Sequence, residues 1–292
     1  MQRYFLPPEG FGPDRVHITG DDAHHLIRVM RAQPGDEIIC CDGFGRTVLA
    51  RLTDIEKADV TGVIVEELPA SGEPSVEVWV AQSLPKGDKL ETVLQKCTEL
   101  GAAKFLPFLS ERTVVQYDAK KEVKRLDRWR KIVKEAAEQS HRSVVPEVLA
   151  PLSWKSLLKL IPETELAILC YEKESGLQLR TLLREAGDLR QSLQQKAKSG
   201  TDLTPEQKAE PKPEQAASEP NPVATQKTSP SGIKPRILVI IGPEGGITER
   251  EAEEAEQVGA RSTGLGPRIL RTETAGMVAT ACILYEYGEM GG

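Results

Sequence analysis

I237-L-V-I-I-G-P-E-G-G-I-T-E-R-E251 holds a strand, a glycine-rich turn and a helix start in one run. Its apolar, β-branched opening predicts a buried strand. T248-E-R-E251 has the spacing of a capping box, in which a Thr hydroxyl and a Glu carboxylate satisfy backbone N–H groups at the helix entrance. Between the two, I240-I-G-P-E-G-G246 places exposed backbone at a strand-to-helix junction. L265-G-P-R-I-L-R-T-E-T-A275 does the same a short way on, with Thr272 or Thr274 able to cap the helix behind it. Unpaired N–H groups at such junctions bind ligands in open α/β sheets, so the pair points to one small molecule held between loops. The first loop lacks the Gly-Lys-Ser/Thr ending of a P-loop, and no G-x-G-x-x-G fingerprint is present. Its glycines instead let backbone approach a flat ligand closely.

Working outward, V76-E-V-W-V-A-Q82, F105-L-P-F-L109 and A167-I-L-C-Y171 predict three further strands. D88-K-L-E-T-V-L-Q-K-C-T-E-L-G101 lies between the first two and predicts a helix. Leu90, Val93, Leu94, Cys97 and Leu100 share its apolar face, Asp88 and Glu91 are spaced as a capping box, and Gly101 stands at the stop. The segment through Gln139 and the run T272–E286 predict two more helices. Alternating strands and helices imply a mostly parallel sheet covered on both faces. Upstream, V16-H-I, E37-I-I-C-C, R46-T-V-L-A-R-L and D59-V-T-G-V-I-V-E predict short strands around one helix, D21–R31, as in a small β-rich barrel module. A70-S-G-E-P74 marks the boundary, dividing residues 1–72 from residues 73–292.

A net charge of −6 argues weakly against a large nucleic-acid footprint, yet the charge is polarised. K120-K-E-V-K-R-L-D-R-W-R-K-I-V-K134 carries eight basic and two acidic side chains, while T248–Q257 is strongly acidic. Residues 188–234 are rich in Lys, Glu, Gln, Ala, Pro and Ser and predict a disordered insertion, because they offer too little apolar surface to offset ordering. The five cysteines form no C-x-x-C pair, and no His-Glu-x-x-His or Cys/His cluster exists, so neither a disulfide framework nor a metal site is expected. His24 and His25 are expected to be structural. No apolar run reaches the roughly 20 residues of a membrane span, and a cytoplasmic location is expected.

The motifs K86-G-D-K-L-E91, Q95-K-C-T-E-L-G101, S110-E-R-T-V-V115, A136-A-E-Q-S-H-R142, I241-G-P-E-G-G246 and L265–A275 occur in an order that resembles the RsmE-type 16S ribosomal RNA uracil-N3 methyltransferases of the SPOUT superfamily. The likeness spans nearly everything outside the insertion. R3-Y-F and H25-L-I-R-V-M-R-A-Q-P-G-D36 are similar to that family's PUA-like RNA-binding domain. The resemblance implies a PUA-like β-barrel followed by an α/β domain with a parallel sheet and a trefoil knot. It also implies a homodimer, S-adenosylmethionine as cofactor, and 16S rRNA of the small ribosomal subunit as substrate. A transfer RNA or ribose 2′-hydroxyl substrate, or a non-catalytic assembly role, stays open beside it.

Carried onto this chain, the resemblance implies three cofactor-binding segments. They are Cys170, Tyr171 and Glu172; then Ile241, Gly242, Pro243, Glu244, Gly245 and Gly246; then Leu265, Gly266, Ile269, Leu270, Arg271, Thr274 and Ala275. Uracil N3 must lose a proton before it attacks a methyl group, so a base and a cation for the carbonyl oxygens are needed. Arg271 and Arg142 are the candidate cations. Glu273, Glu138 or water is the candidate base. RNA phosphates are expected at Arg3, Arg28, Arg31, Arg112, Lys120, Lys121, Lys124, Arg125 and Arg128, and His141 fits RNA contact better than proton transfer.

Overall fold

The alternation of buried and exposed positions separates two sheets. The computed structural model describes residues 1–114, 119–172, 178–187 and 234–291, with side chains in the third helix described from Glu122 onward. The expected insertion, all but its last residue, lies outside the described residues. The N-terminal module is a five-stranded mixed sheet of β1 (Arg3–Phe5), β2 (Arg15–Thr19), β3 (Glu37–Cys41), β4 (Thr47–Ile55) and β5 (Asp59–Leu68) in the order β1-β3-β4-β5-β2. In β2 only Val16 and Ile18 face inward, so strict period-2 patterning sets which face joins Tyr4, Cys40, Val48, Ala50 and Leu52 in the core. Register shifts between Leu49 and Ala50 and between Leu52 and Asp54 mark bulges, which bend and twist the β4–β5 pair. The predicted helix starts at Gly20 as α1 (Gly20–His24), then widens into a π-helical turn, His25–Met30, that stops at Arg31 with φ 53°.

The second sheet has seven strands, all pairing parallel. β6 (Glu77–Ser83), β7 (Lys104–Leu109), β10 (Leu166–Cys170) and β11 (Arg236–Ile241) are the expected strands; β8 (Glu147–Val148), β9 (Leu152–Ser153) and β12 (Ala260–Thr263) are additional. The order is β12-β10-β11-β6-β7-β8, with β9 also on β7. Both faces are covered, and successive residues serve different cores: Val78, Val80, Ile237 and Val239 pack on one side, Trp79, Ala81, Leu238 and Ile240 on the other. The first side is roofed by α2 (Lys89–Leu100), α3 (Ala119–Gln139), α5 (residues 179–187) and α7 (Thr272–Glu286); the second by α4 (Trp154–Leu158) and α6 (Glu249–Gln257).

Two caps had the same expected spacing and behave differently. Thr248 and Glu251 form the full capping box of α6. Asp88 makes no side-chain cap on α2: its backbone, at φ −92° and ψ 12°, is not in the extended conformation of an N-cap, and the Glu91 carboxylate pairs with Arg128 at 2.6 Å instead. Gly101 ends α2 at φ 118°, as expected of a left-handed stop. After β11 the chain passes β10 to reach the sheet edge at β12, then returns as α7 to pack over α2, β6 and β11. The cysteines are free thiols, and burial pushes Cys97 and Cys170 up to about 12.

Candidate active site

The carboxyl ends of β10, β11 and β12 open into a cavity of about 480 Å³, within the roughly 300–1,000 Å³ typical of small-molecule sites. Three segments line it: Cys170–Glu172, Ile241–Glu244 with Gly246 and Ile247, and Thr263–Glu273 with Ala275. The wall at Gly242 leaves little room for a side chain. A Cβ there would sit 3.0 Å from Ile247 Cγ1 and 3.1 Å from Ile247 N. Gly266, at φ 109°, turns the third segment through a conformation that other residues rarely adopt. At these two turns the main chain can approach a ligand closely.

Side chains fix these loops from behind. Glu244 Oε1 accepts from Lys89 Nζ at 2.7 Å and Lys86 N at 3.1 Å, which ties the first loop to the turn before α2. Partial burial alone would raise this carboxyl; the bond from Lys89 and those from backbone hold it below its usual range. Arg112 Nη1 donates to Gly245 O at 2.8 Å. Buried Glu251 accepts from Glu111 N at 2.7 Å while it caps α6, so the turn after β7 is fastened to the same loop. Thr272 does not cap α7. Its hydroxyl donates to Gly242 O at 2.6 Å and accepts from Gln82 Nε2 at 2.8 Å, and the N-cap position is Arg271.

Most residues expected around the cofactor line the cavity. Gly245 and Thr274 do not; Gly245 lies under the Arg112 side chain. Lys89, Ile247, Thr263 and Gly264 line it without having been expected. Arg271 is exposed at the edge, while Glu273 is half-buried with Oε2 enclosed and without a hydrogen-bond partner among the described residues. The Tyr171 hydroxyl is likewise enclosed and unpartnered.

Arg142, Glu138 and Arg3 lie away from this cavity. Arg142 is 2% exposed at the junction of the two modules. Its guanidinium pairs with Glu73 at 2.7 Å and donates to Ala102 O at 2.6 Å and Thr98 O at 3.2 Å. Arg3, 6% exposed, donates to Arg142 O at 2.8 Å. Glu138 accepts from Phe5 N at 3.0 Å and lies 3.6 Å from Lys134. Burial pushes its carboxyl up, against the pull of Phe5 N and Lys134. None of the three borders the cavity. Their bonds link the start of the chain and the segment after α3, and the buried Arg142 guanidinium is paired and hydrogen-bonded as burial of a charge requires.

The remaining expected RNA contacts divide. Arg28, Arg31, Lys124 and Arg125 are exposed; Arg128 is exposed but paired with Glu91. The side chains of Lys120 and Lys121 lie outside the described residues. Arg112 stands at the cavity loop. Further along α3, Lys131 and Lys134 pair with Asp21 and Asp22 at 2.7 and 2.6 Å, so part of the basic helix holds the N-terminal module. His25 Nδ1 shares a 2.8 Å hydrogen bond with the Tyr4 hydroxyl, a structural contact as expected.

A family model described as an RNA methyltransferase domain matches residues 72–198 and 183–284, and one described as an RNA methyltransferase PUA domain matches residues 18–65. The ribosomal RNA small subunit methyltransferase E of Bacillus subtilis is 36% identical over 98% of this chain and 97% of its own. The protein of that name from Synechocystis is 32% identical over 96% of this chain and 76% of its own. Among solved structures, a ribosomal RNA small subunit methyltransferase E from Neisseria gonorrhoeae bound to S-adenosyl methionine superimposes with a TM-score of 0.73 at 29% identity, covering 98% of this chain and 97% of that one. A crystal structure of a hypothetical protein gives 0.74 at 35% identity, covering 98% of each chain.

Proposed function

The chain belongs to the ribosomal RNA small subunit methyltransferase E family, and from that premise we propose that it methylates N3 of a uridine in 16S rRNA with S-adenosylmethionine. The carrying observation is the main-chain cavity at the sheet's carboxyl edge, with Glu273 and Arg271 on its rim. When bound, S-adenosylmethionine supplies an electrophilic methyl group and leaves as a neutral thioether. The chain's own residues must then orient the base and take one proton. Loops Ile241–Gly246 and Thr263–Arg271 hold the ligand through backbone and restrict its orientation. The carboxylate of Glu273, a residue of the cavity lining, accepts the N3 proton. Arg271 offsets the charge that spreads onto the flanking carbonyl oxygens. With Arg142 and Glu138 committed to the module junction, Arg271 and Glu273 form the surviving catalytic pair.

Arg28 and Arg31 on the N-terminal module, and Lys124 and Arg125 on α3, present charge to RNA phosphates. We also propose that the passage of the chain from β11 past β10 and back as α7 closes the trefoil knot, and that two chains pair in the cytoplasm. The groove formed by Leu179, Leu183, Ala281 and the exposed Tyr285 offers apolar surface for that pairing. Titration calorimetry tests the cofactor half directly: S-adenosylmethionine is expected to bind one molecule per chain. Absence of binding to the folded protein would refute the reading.

A further inference from the structure

Gln82 is polar, 1% exposed and at the end of the central strand β6, where an apolar residue would suit the core. Its amide has one consistent orientation. Nε2 faces Thr272 Oγ1 at 2.8 Å, Ser83 O at 3.1 Å and Gly242 O at 3.4 Å. Turning the amide over would set its oxygen against two carbonyl oxygens, so the donor must point this way. Thr272 then has its hydroxyl direction fixed, because it accepts from Gln82 and donates to Gly242 O at 2.6 Å. The relay joins three pieces of chain far apart in sequence: the end of β6, the first cavity loop and the first turn of α7.

Stability alone does not explain this arrangement. Gln82 Oε1 is enclosed without a partner among the described residues, and an unsatisfied buried acceptor costs about 1–3 kcal/mol. A leucine would fill the same space without that cost. The relay does fix the loop at Gly242 against the segment Arg271–Glu273, and both line the one cavity. We propose that Gln82 and Thr272 are positioning residues that clamp the two loops at the separation S-adenosylmethionine requires. This rests on the methyl-transfer reading above and adds to it two residues outside the proposed base and cation: Thr272, which stands between them on the cavity wall, and Gln82, buried behind it.

The test is calorimetric binding of S-adenosylmethionine to the full chain, with thermal unfolding and RNA affinity measured in parallel. Thr272→Val and Gln82→Leu are each expected to weaken cofactor binding about tenfold, the loss of one relay bond with its partner left unpaired. Thr272→Ser, which keeps the hydroxyl, is expected to bind within about threefold of wild type, and the double variant no more than about twofold worse than either single one, since the relay acts as a unit. RNA affinity stays unchanged. Folded Thr272→Val binding the cofactor as wild type does, or Thr272→Ser as weak as Thr272→Val, overturns the clamp. If Thr272→Val does not fold, Gln82→Met decides by the same criterion. Failure of the wild-type protein to bind overturns the methyl-transfer reading and the clamp together; wild-type binding with an unaffected variant overturns the clamp alone.

Discussion

Arg142 carries its charge into a buried wall that the two modules share. Its pairing with Glu73 and its bonds to two carbonyls make it a structural cation. Removing one member of a buried pair strands the other, so Arg142→Ala is expected to lose about 3–5 kcal/mol in urea unfolding, while cofactor affinity of the folded fraction is kept. Glu273 has the opposite character, since its free oxygen faces no protein donor. Glu273→Gln is expected to lower kcat by about 10²–10⁴, with the S-adenosylmethionine dissociation constant nearly unchanged; unaltered kcat would pass the proton to water instead. Glu138 gives a pH signature. Burial raises its carboxyl above 4.5 in the folded chain, so its contribution is full below the unfolded value and is lost as pH rises through the folded one. Glu138→Gln retains an acceptor for Phe5 N and removes the titration. Its Tm relative to wild type is therefore expected to climb between pH 4 and pH 7, measured by calorimetric scans; a constant difference would contradict it.

Among the elements, α6 and α3 carry the sharpest expectations. Thr248→Ala removes a hydroxyl that accepts from Glu251 N, costing about 1 kcal/mol. On α3, Lys124 and Arg125 are exposed. Their joint replacement by Gln should flatten the slope of log affinity against log salt by about 1.5, in filter-binding measurements with 16S rRNA fragments; an unchanged slope would remove them from the interface. The long strands were legible because β6, β10 and β11 are buried on both faces and read as continuous apolar runs. β8, β9 and β12 were not, since strands of two to four residues leave no periodicity to detect. The cavity loops could be read from their glycines. Gln82 could not, because an amide at a strand end acquires meaning only from Thr272, 190 positions away. Arg142 misled for the same reason: its motif follows a basic helix, while Glu73, its partner, lies 69 residues earlier.

Across the whole molecule, α3 joins the two modules. Lys131 and Lys134 reach Asp21 and Asp22, Glu138 holds the start of the chain at Phe5, and Arg142 closes the junction just beyond the helix. The N-terminal arginines and the cavity are thereby held in one frame, as an RNA substrate that touches both would require. The cavity itself depends on chain crossing, with β12 and α7 carried past β10 and back over the sheet so that three carboxyl ends meet. The central claim is that this cavity moves a methyl group to uracil N3. The most direct test is to incubate the protein and labelled S-adenosylmethionine with purified small ribosomal subunits that lack the mark, then identify the modified nucleoside by mass spectrometry. N3-methyluridine at a single 16S rRNA position is the predicted result. Label on a ribose 2′-oxygen, or no label in the subunit, would contradict it.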